Sequence, residues 1–340
     1  MVNPESSPPA LPHLRLGSLD VGFPVVQAAL AGYSDWPMRT LAVRLGAPFT
    51  WAEVALERFV VQGTRRQRGR RILRPTVDAP SGGQLMGEDS PEIVDGARRL
   101  VALGFAAIDL NFACPVRKVL GKNRGGHLMT DPAAAIQIVR RVRDGLPHTV
   151  PVSVKLRRGF DDTEPSRERF WEILDGCYAA GADAVTLHPR TVRQRYEGPS
   201  DWRLLAEAKR HVGRHTLLGS GDLFSAADCL RMIHQTGVDG VTAARGAIGN
   251  PWIFQQARAL ATGEPWSPPS LAEQRTLIEQ HYQLAEQTYG PRRACQTMRK
   301  FGIKYARLHP NQQQVRDAFV AVTRPDDWRA VLDHWYTTDV

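Results

Sequence analysis

Cysteine is scarce in this chain. There are four in 340 residues, Cys114, Cys177, Cys229 and Cys295, and no two stand in a Cys-x-x-Cys spacing. That excludes a disulfide scaffold and argues against zinc or iron–sulfur ligation, so no metal is expected. Lysine is scarce too: only six of the 44 basic residues are lysine. No apolar run reaches the roughly 18 residues that a membrane span needs. Positions 1–9 lack the basic segment and apolar core of a secretory signal, so residues 1–19 are expected to form a flexible leader and the protein to be cytoplasmic. A Gly-x-Gly-x-x-Gly turn after the first strand is also missing, which speaks against a doubly wound dinucleotide-binding sheet.

What is present is an ordinary globular composition, 42% hydrophobic and 23% charged. The net charge of +9 favours a polyanionic partner, because neutralising phosphates releases counterions. A general arginine-for-lysine habit is the competing explanation. Short buried-type runs at 24–29, 49–53, 82–86, 106–111, 152–156, 184–188, 216–219 and 240–243 alternate with helical patterns. Pro91 and Pro132 stand at first-turn positions of two such helices. The repeated unit predicts an α/β fold, a (β/α)8 TIM barrel over 20–264. After Pro265-Trp266-Ser267-Pro268-Pro269 only helical periodicity remains, which predicts a C-terminal all-helical domain over 265–340.

In such a barrel the chemistry sits at the C-terminal ends of the strands. Gln84 lies in the third candidate strand. Asn111 and Cys114 follow the fourth, Lys155 and Arg157 end the fifth, and His188 and Arg190 end the sixth. Gly219-Ser220-Gly221-Asp222 and Ala244-Arg245-Gly246 follow the last two, where barrels often bind phosphate through loop amides. Lys155 stands among apolar residues and needs an anionic or strongly polar partner, for which either a bound ring or a barrel carboxylate would serve. Cys114, just before Pro115 and a Lys-, Arg- and Gly-rich loop, can act as a general acid if a carbanion forms within reach.

These strings, read together, resemble the tRNA-dihydrouridine synthases, particularly the bacterial B-type branch, over roughly residues 20 to 336. The carriers are Ala31-Gly32-Tyr33-Ser34-Asp35-Trp36-Pro37-Met38-Arg39, Gln84-Leu85-Met86-Gly87 and, most diagnostic, Asp109-Leu110-Asn111-Phe112-Ala113-Cys114-Pro115. Val154-Lys155-Leu156-Arg157 and Leu187-His188-Pro189-Arg190-Thr191 with Tyr196 add to them. The resemblance implies an FMN enzyme that uses NADPH to reduce the C5–C6 double bond of selected uridines in tRNA. It implies that Ala29, Leu30 and Ala31 line the flavin, and that Gln84, Lys155 and His188 contact its ring. Ser220, Gly221 and Asp222 with Ala244 and Arg245 would hold its phosphate. Asn111, Arg157 and Tyr196 would meet the uracil, and Cys114 would protonate C5. The tRNA body would rest on the basic run at 64–71 and on Arg292, Arg293, Arg299, Lys300 and Lys304.

This chain departs from the family pattern at Ala29-Leu30, where Pro-Met is usual, at Ser220 for Asn and at Ala244 for Gly. Ser220 can still bond a phosphate or ribityl oxygen and Leu30 can pack where Met would, whereas the methyl that Ala244 adds near the phosphate predicts weaker FMN binding. Two other readings share the motifs: a flavin barrel reducing a small conjugated molecule, and an RNA-binding folding factor with a degenerate flavin site.

Overall fold

A computed structural model describes residues 11–63 and 73–337, and the basic run at 64–71 lies outside them. The described chain opens on an antiparallel hairpin, β1 (Leu14–Leu16) and β2 (Leu19–Gly22). The leader expected over 1–19 is thereby corrected from Leu14 onward, and residues 1–10 lie outside the described residues. Leu14 and Leu16 are buried against Val26, Phe49, Trp51, Ala107, Ala184 and Leu218, so this segment closes one end of the barrel. Alternation over three residues is too short a pattern to announce a strand.

The barrel strands are β3 (Val25–Gln27), β4 (Thr50–Trp51), β5 (Ala55–Leu56), β6 (Ser81–Met86), β7 (Ala107–Asn111), β8 (Val152–Arg157), β9 (Ala184–His188), β10 (Thr216–Gly219) and β11 (Gly240–Ala243). Every pairing among them is parallel. Strand β11 pairs with β3, β3 with β4 and β4 with β6, which closes the ring at eight positions and excludes an open sheet. All eight expected strands are found, and the second is split. Its first half, β4, pairs with Ser81 and Gly82, and its second half, β5, with Leu85 and Met86.

Helices α1 (Trp36–Arg44), α2 (Glu57–Gly63), α3 (Pro91–Ala102), α4 (Arg117–Leu120), α5 (Pro132–Gly145), α6 (Glu164–Ala179), α7 (Trp202–Val212), α8 (Ala226–Thr236) and α9 (Ile253–Thr262) lie between and after these strands. Their starts carry local reasons. Asp35 accepts from the Met38 amide at 3.1 Å, Asp131 from that of Ala134 at 3.0 Å, and Ser225 and Asp228 form a capping box.

Side chains two apart share a strand face. The inward face runs from small residues at the closed end to polar ones at the mouth: Ala107, Asp109, Asn111 on β7; Ser153, Lys155, Arg157 on β8; Ala184, Thr186, His188 on β9. The remaining helices are α10 (Leu271–Tyr289), α11 (Pro291–Tyr305), α12 (Gln312–Ala321) and α13 (Pro325–Trp335). They share one continuous apolar core with the barrel, in which Met38 and Leu41 of α1 join Leu277, Ile278 and Phe301. No helix among the described residues is long and apolar enough to cross a membrane.

The closed end is packed without slack. A Cβ at Gly82 would lie 2.0 Å from the Trp51 ring, closer than atoms can approach. Gly82→Ala is therefore expected to destabilise the protein by about 1–3 kcal/mol through overpacking. Urea denaturation measures this, and a variant as stable as the parent would contradict the packing described.

Candidate active site

Strand ends β6 to β11 and the loop after β3 surround one cavity at the barrel mouth, with about 1040 Å³ of empty space including its open side. Every residue that the resemblance gave to the flavin, the uracil or the proton lines it: Ala29, Leu30, Ala31, Gln84, Asn111, Cys114, Lys155, Arg157, His188, Tyr196, Ser220, Gly221, Asp222, Ala244 and Arg245. Ala28, Ala113 and Pro115 line it as well, and so do Val54, Val116, Leu223, Phe224 and Thr242, which were not foreseen.

A relay of hydrogen bonds sets the floor. Gln84 Nε2 donates to Asp109 Oδ2 at 2.6 Å, and Asn111 Nδ2 donates to Gln84 Oε1 at 2.8 Å. Asn111 Oδ1 in turn accepts from the amides of Ala113 (3.1 Å) and Cys114 (3.0 Å). The carboxyl of Asp109 thus fixes which way the Gln84 amide faces, and Asn111 pins the turn that carries the thiol. With its oxygen committed, Asn111 can meet a ligand only through its second N–H.

Beside this relay, Lys155 Nζ is buried and makes no hydrogen bond, and Asp109 Oδ1 is likewise without a partner. Burial pulls the Lys155 ammonium down to about 8, with Asp109 pulling back up, and burial pushes Asp109 up to about 6. An ammonium in this state is short of an acceptor, and it faces the cavity.

Cys114 is half-buried, whereas Cys177, Cys229 and Cys295 are buried free thiols. Burial raises the Cys114 thiol above its ordinary range, opposed by the Val116 amide and by Arg157. The group is therefore a proton-bearing thiol at neutral pH. Arg157 is held by three backbone carbonyls, Ala113 (2.9 Å), Thr191 (2.9 Å) and Arg195 (2.8 Å). It joins the Cys114 turn to the loop after β9, and its guanidinium lies 5.7 Å from the centre of the Tyr196 ring.

On the opposite wall, His188 Nδ1 accepts from the Arg190 amide at 3.3 Å, which leaves the proton on Nε2. Gly221, at φ +113°, passes so close that a Cβ there would lie 3.3 Å from the His188 ring and 2.4 Å from Ser200 Oγ. Asp222 joins two arginines, accepting from Arg190 at 2.6 Å and from Arg245 at 3.2 Å. Arg245 lies 4.9 Å from the ring centres of both Tyr196 and Phe224. Arg190, buried behind this wall, was placed at a strand end by sequence but given no role, and its two contacts explain its position. Ser220, one of the departures from the family pattern, is buried with its amide donating to Leu187 O at 3.0 Å.

Ionisable and nucleophilic side chains gathered at the C-terminal ends of a closed parallel barrel define a barrel enzyme. The family model described as Dihydrouridine synthase (Dus) matches residues 26–338, and the chain belongs to that family, which makes it an oxidoreductase. It is 33% identical over 331 residues to the probable tRNA-dihydrouridine synthase of Mycobacterium tuberculosis (strain CDC 1551 / Oshkosh), an alignment covering 95% of this chain and 84% of that one. With the tRNA-dihydrouridine synthase B of Xanthomonas axonopodis pv. citri (strain 306) it shares 31% identity over 321 residues, covering 92% of this chain and 95% of the relative. Among solved structures, histamine dehydrogenase from Rhizobium sp. 4-9 superposes with a TM-score of 0.58 at 15% identity, covering 80% of this chain and 50% of that one, a likeness of fold.

Burial, followed by Arg157, Lys155, Arg190 and Arg245, pushes His188 down to about 2. Because a lowered pKa means the ring takes up its second proton only in strong acid, it stays neutral through the whole physiological range. Nitrogen NMR of the imidazole should show no titration between roughly pH 5 and 8. A midpoint near 6.5 would place His188 in a solvated, uncharged setting that this structure does not have.

Proposed function

We propose that this protein is an FMN-dependent, NADPH-using enzyme that reduces the C5–C6 double bond of selected uridines in tRNA to 5,6-dihydrouridine. The observation that carries the reading is the mouth itself. A proton-bearing thiol, an ammonium without a partner and a neutral imidazole N–H face one cavity, in a chain of the dihydrouridine synthase family.

The residues fit the cofactor. Lys155, unsatisfied as it stands, offers an ammonium to the electron-rich edge of the flavin ring, with Gln84 and the His188 Nε2–H as neutral donors. Gly221, Asp222, Ala244 and Arg245 offer amides and a guanidinium to the phosphate, Ser220 offers its hydroxyl, and the lack of a side chain at Gly221 leaves the backbone approachable. Ala29, Leu30 and Ala31 supply an apolar wall. When bound, the flavin supplies the hydride for C6 of the uracil.

The rest of the chemistry belongs to this chain. Cys114 gives its proton to C5, and the thiolate left behind is met by the Val116 amide and the Arg157 cation. Arg157, fixed by its three carbonyls, places positive charge where enolate character develops. Asn111 and Tyr196 border the space the base would fill after leaving its stack. The exposed cations Arg292, Arg293 and Arg299 of α11 provide a face for tRNA phosphates.

Cys114→Ala should lower dihydrouridine formation on tRNA by about 10²-fold or more while tRNA binding persists. Mass spectrometry of digested tRNA reads the first quantity and a salt-dependent filter assay the second. An unimpaired Cys114→Ala enzyme would remove the proposed acid.

FMN affinity should also depend on pH. The protonated Lys155 is the binding form, and in the empty barrel it loses its proton as the pH rises through about 8. Affinity should then fall by up to roughly tenfold per unit above that point. Fluorescence titrations at pH 7 and pH 9 test this, with Lys155→Met as the reference expected to be flat. A wild-type affinity that does not change over this interval would contradict the assignment.

A further inference from the structure

The tail bears on two adjacent loops that line the cofactor cleft, and it does so in part through Lys300, which the sequence assigned to RNA. The loop after β3 is irregular backbone between Ala28 and Asp35, and its polar atoms need partners from elsewhere. Ser34 Oγ takes the Leu30 amide at 2.7 Å, and Glu53 takes that of Gly32, which sits at φ +77°. The Gly32 carbonyl is taken by Lys300 Nζ of α11, whose nitrogen lies 5.0 Å and 5.3 Å from the ring centres of Tyr33 and Phe301. Tyr33 meets Phe301 edge-on at 5.4 Å, and Tyr289 OH donates to Asp35 at 2.9 Å. Lys300 is therefore a bracket between tail and barrel, not a cation held out for phosphate.

The loop after β11 is gripped from the same helix and the turn that follows it. Arg307 donates to the carbonyl of Ile248 and, at 3.4 Å, to that of Arg245. Gly249, at φ +73°, runs so near the end of α11 that a Cβ would lie 2.4 Å from the Lys304 carbonyl carbon. Because β11 and β3 are neighbours in the ring, one helix reaches both loops. One loop carries Ala29, Leu30 and Ala31, and the other carries Ala244 and Arg245.

We propose that Lys300 and Arg307 are positioning residues for the cofactor cleft, with α11 a brace that holds the first and last barrel loops at the separation the cofactor needs. This rests on the flavin reading given above. It makes the tail a structural part of the cofactor site as well as a face for RNA. It also gives a reason why the family pattern can be relaxed at Leu30 and Ala244, since both loops are held from behind.

The test uses the full-length protein and two readouts. In apoprotein titrated with FMN and followed by quenching of its fluorescence, Lys300→Met should weaken binding roughly tenfold, the scale of one lost charged hydrogen bond. Lys300→Arg should recover most of it. Arg316→Met, which removes an exposed tail cation paired with Asp317, should change nothing. In the absence of FMN, hydrogen exchange at the amides of residues 30–34 should quicken about tenfold in Lys300→Met and not in Arg316→Met. If Lys300→Met fails to fold, Arg307→Gln is read the same way, with exchange followed at residues 245–249. Variants that bind FMN within twofold of wild type, or that leave exchange in both loops unchanged, overturn the brace. A wild-type protein that binds no FMN refutes the cofactor reading instead, and the exchange measurement still decides whether the brace exists.

Discussion

An ammonium group inside a closed barrel, with no hydrogen-bond acceptor, is the constraint around which this site is organised. Lowering Lys155 to about 8 corresponds to roughly 3 kcal/mol against its charged form. A protein keeps such a cost only where the surroundings hold the group in place. Here the ring of parallel strands fixes Lys155 two residues from Arg157 on one face of β8, with Asn111 across from Lys155 and Asp109 across from Ser153 on β7. The carboxyl of Asp109 serves twice, as the counter-charge to Lys155 and as the acceptor that turns the Gln84 amide. Through Asn111 the same relay reaches the backbone of the Cys114 turn. Gln84, Asn111 and the turn that carries the thiol are therefore parts of one hydrogen-bonded unit.

The site divides by rigidity. Lys155, Arg157, His188 and Asn111 stand on strands, where register fixes them. Cys114, Tyr196, Asp222 and Arg245 stand on loops and are placed by contacts between loops. Arg157 ties the Cys114 turn to the segment after β9, and Asp222 ties that segment's Arg190 to Arg245. Neutralisation is local as well: four cations lie near His188, and its imidazole remains uncharged because burial and their fields act in the same direction.

Much of this was legible in the sequence for a physical reason. Parallel strands covered on both faces read as short apolar runs, and each polar residue that ends one is conspicuous. All eight strands and the candidates at their ends came from that pattern, whereas Ala29, Leu30, Ala31 and Tyr196 came only from the family resemblance. The parts that stayed hidden depend on backbone partners, which sequence does not show. Lys300 looked like a surface cation because its acceptor is a carbonyl more than two hundred residues away. The bonds from Asn111 to the amides of Ala113 and Cys114, which leave it a second N–H toward the cavity, were not marked in the sequence either. The hairpin at 14–22 escaped notice because it earns its place by packing across the barrel end, not by its own periodicity.

The central claim is that this mouth reduces uridine in tRNA. The most direct measurement is a map of dihydrouridine in tRNA from cells lacking the protein, set beside cells complemented with it. The account predicts that one or a few positions lose the two added hydrogens in the absence of the protein and regain them on complementation. A map identical in both strains would contradict it.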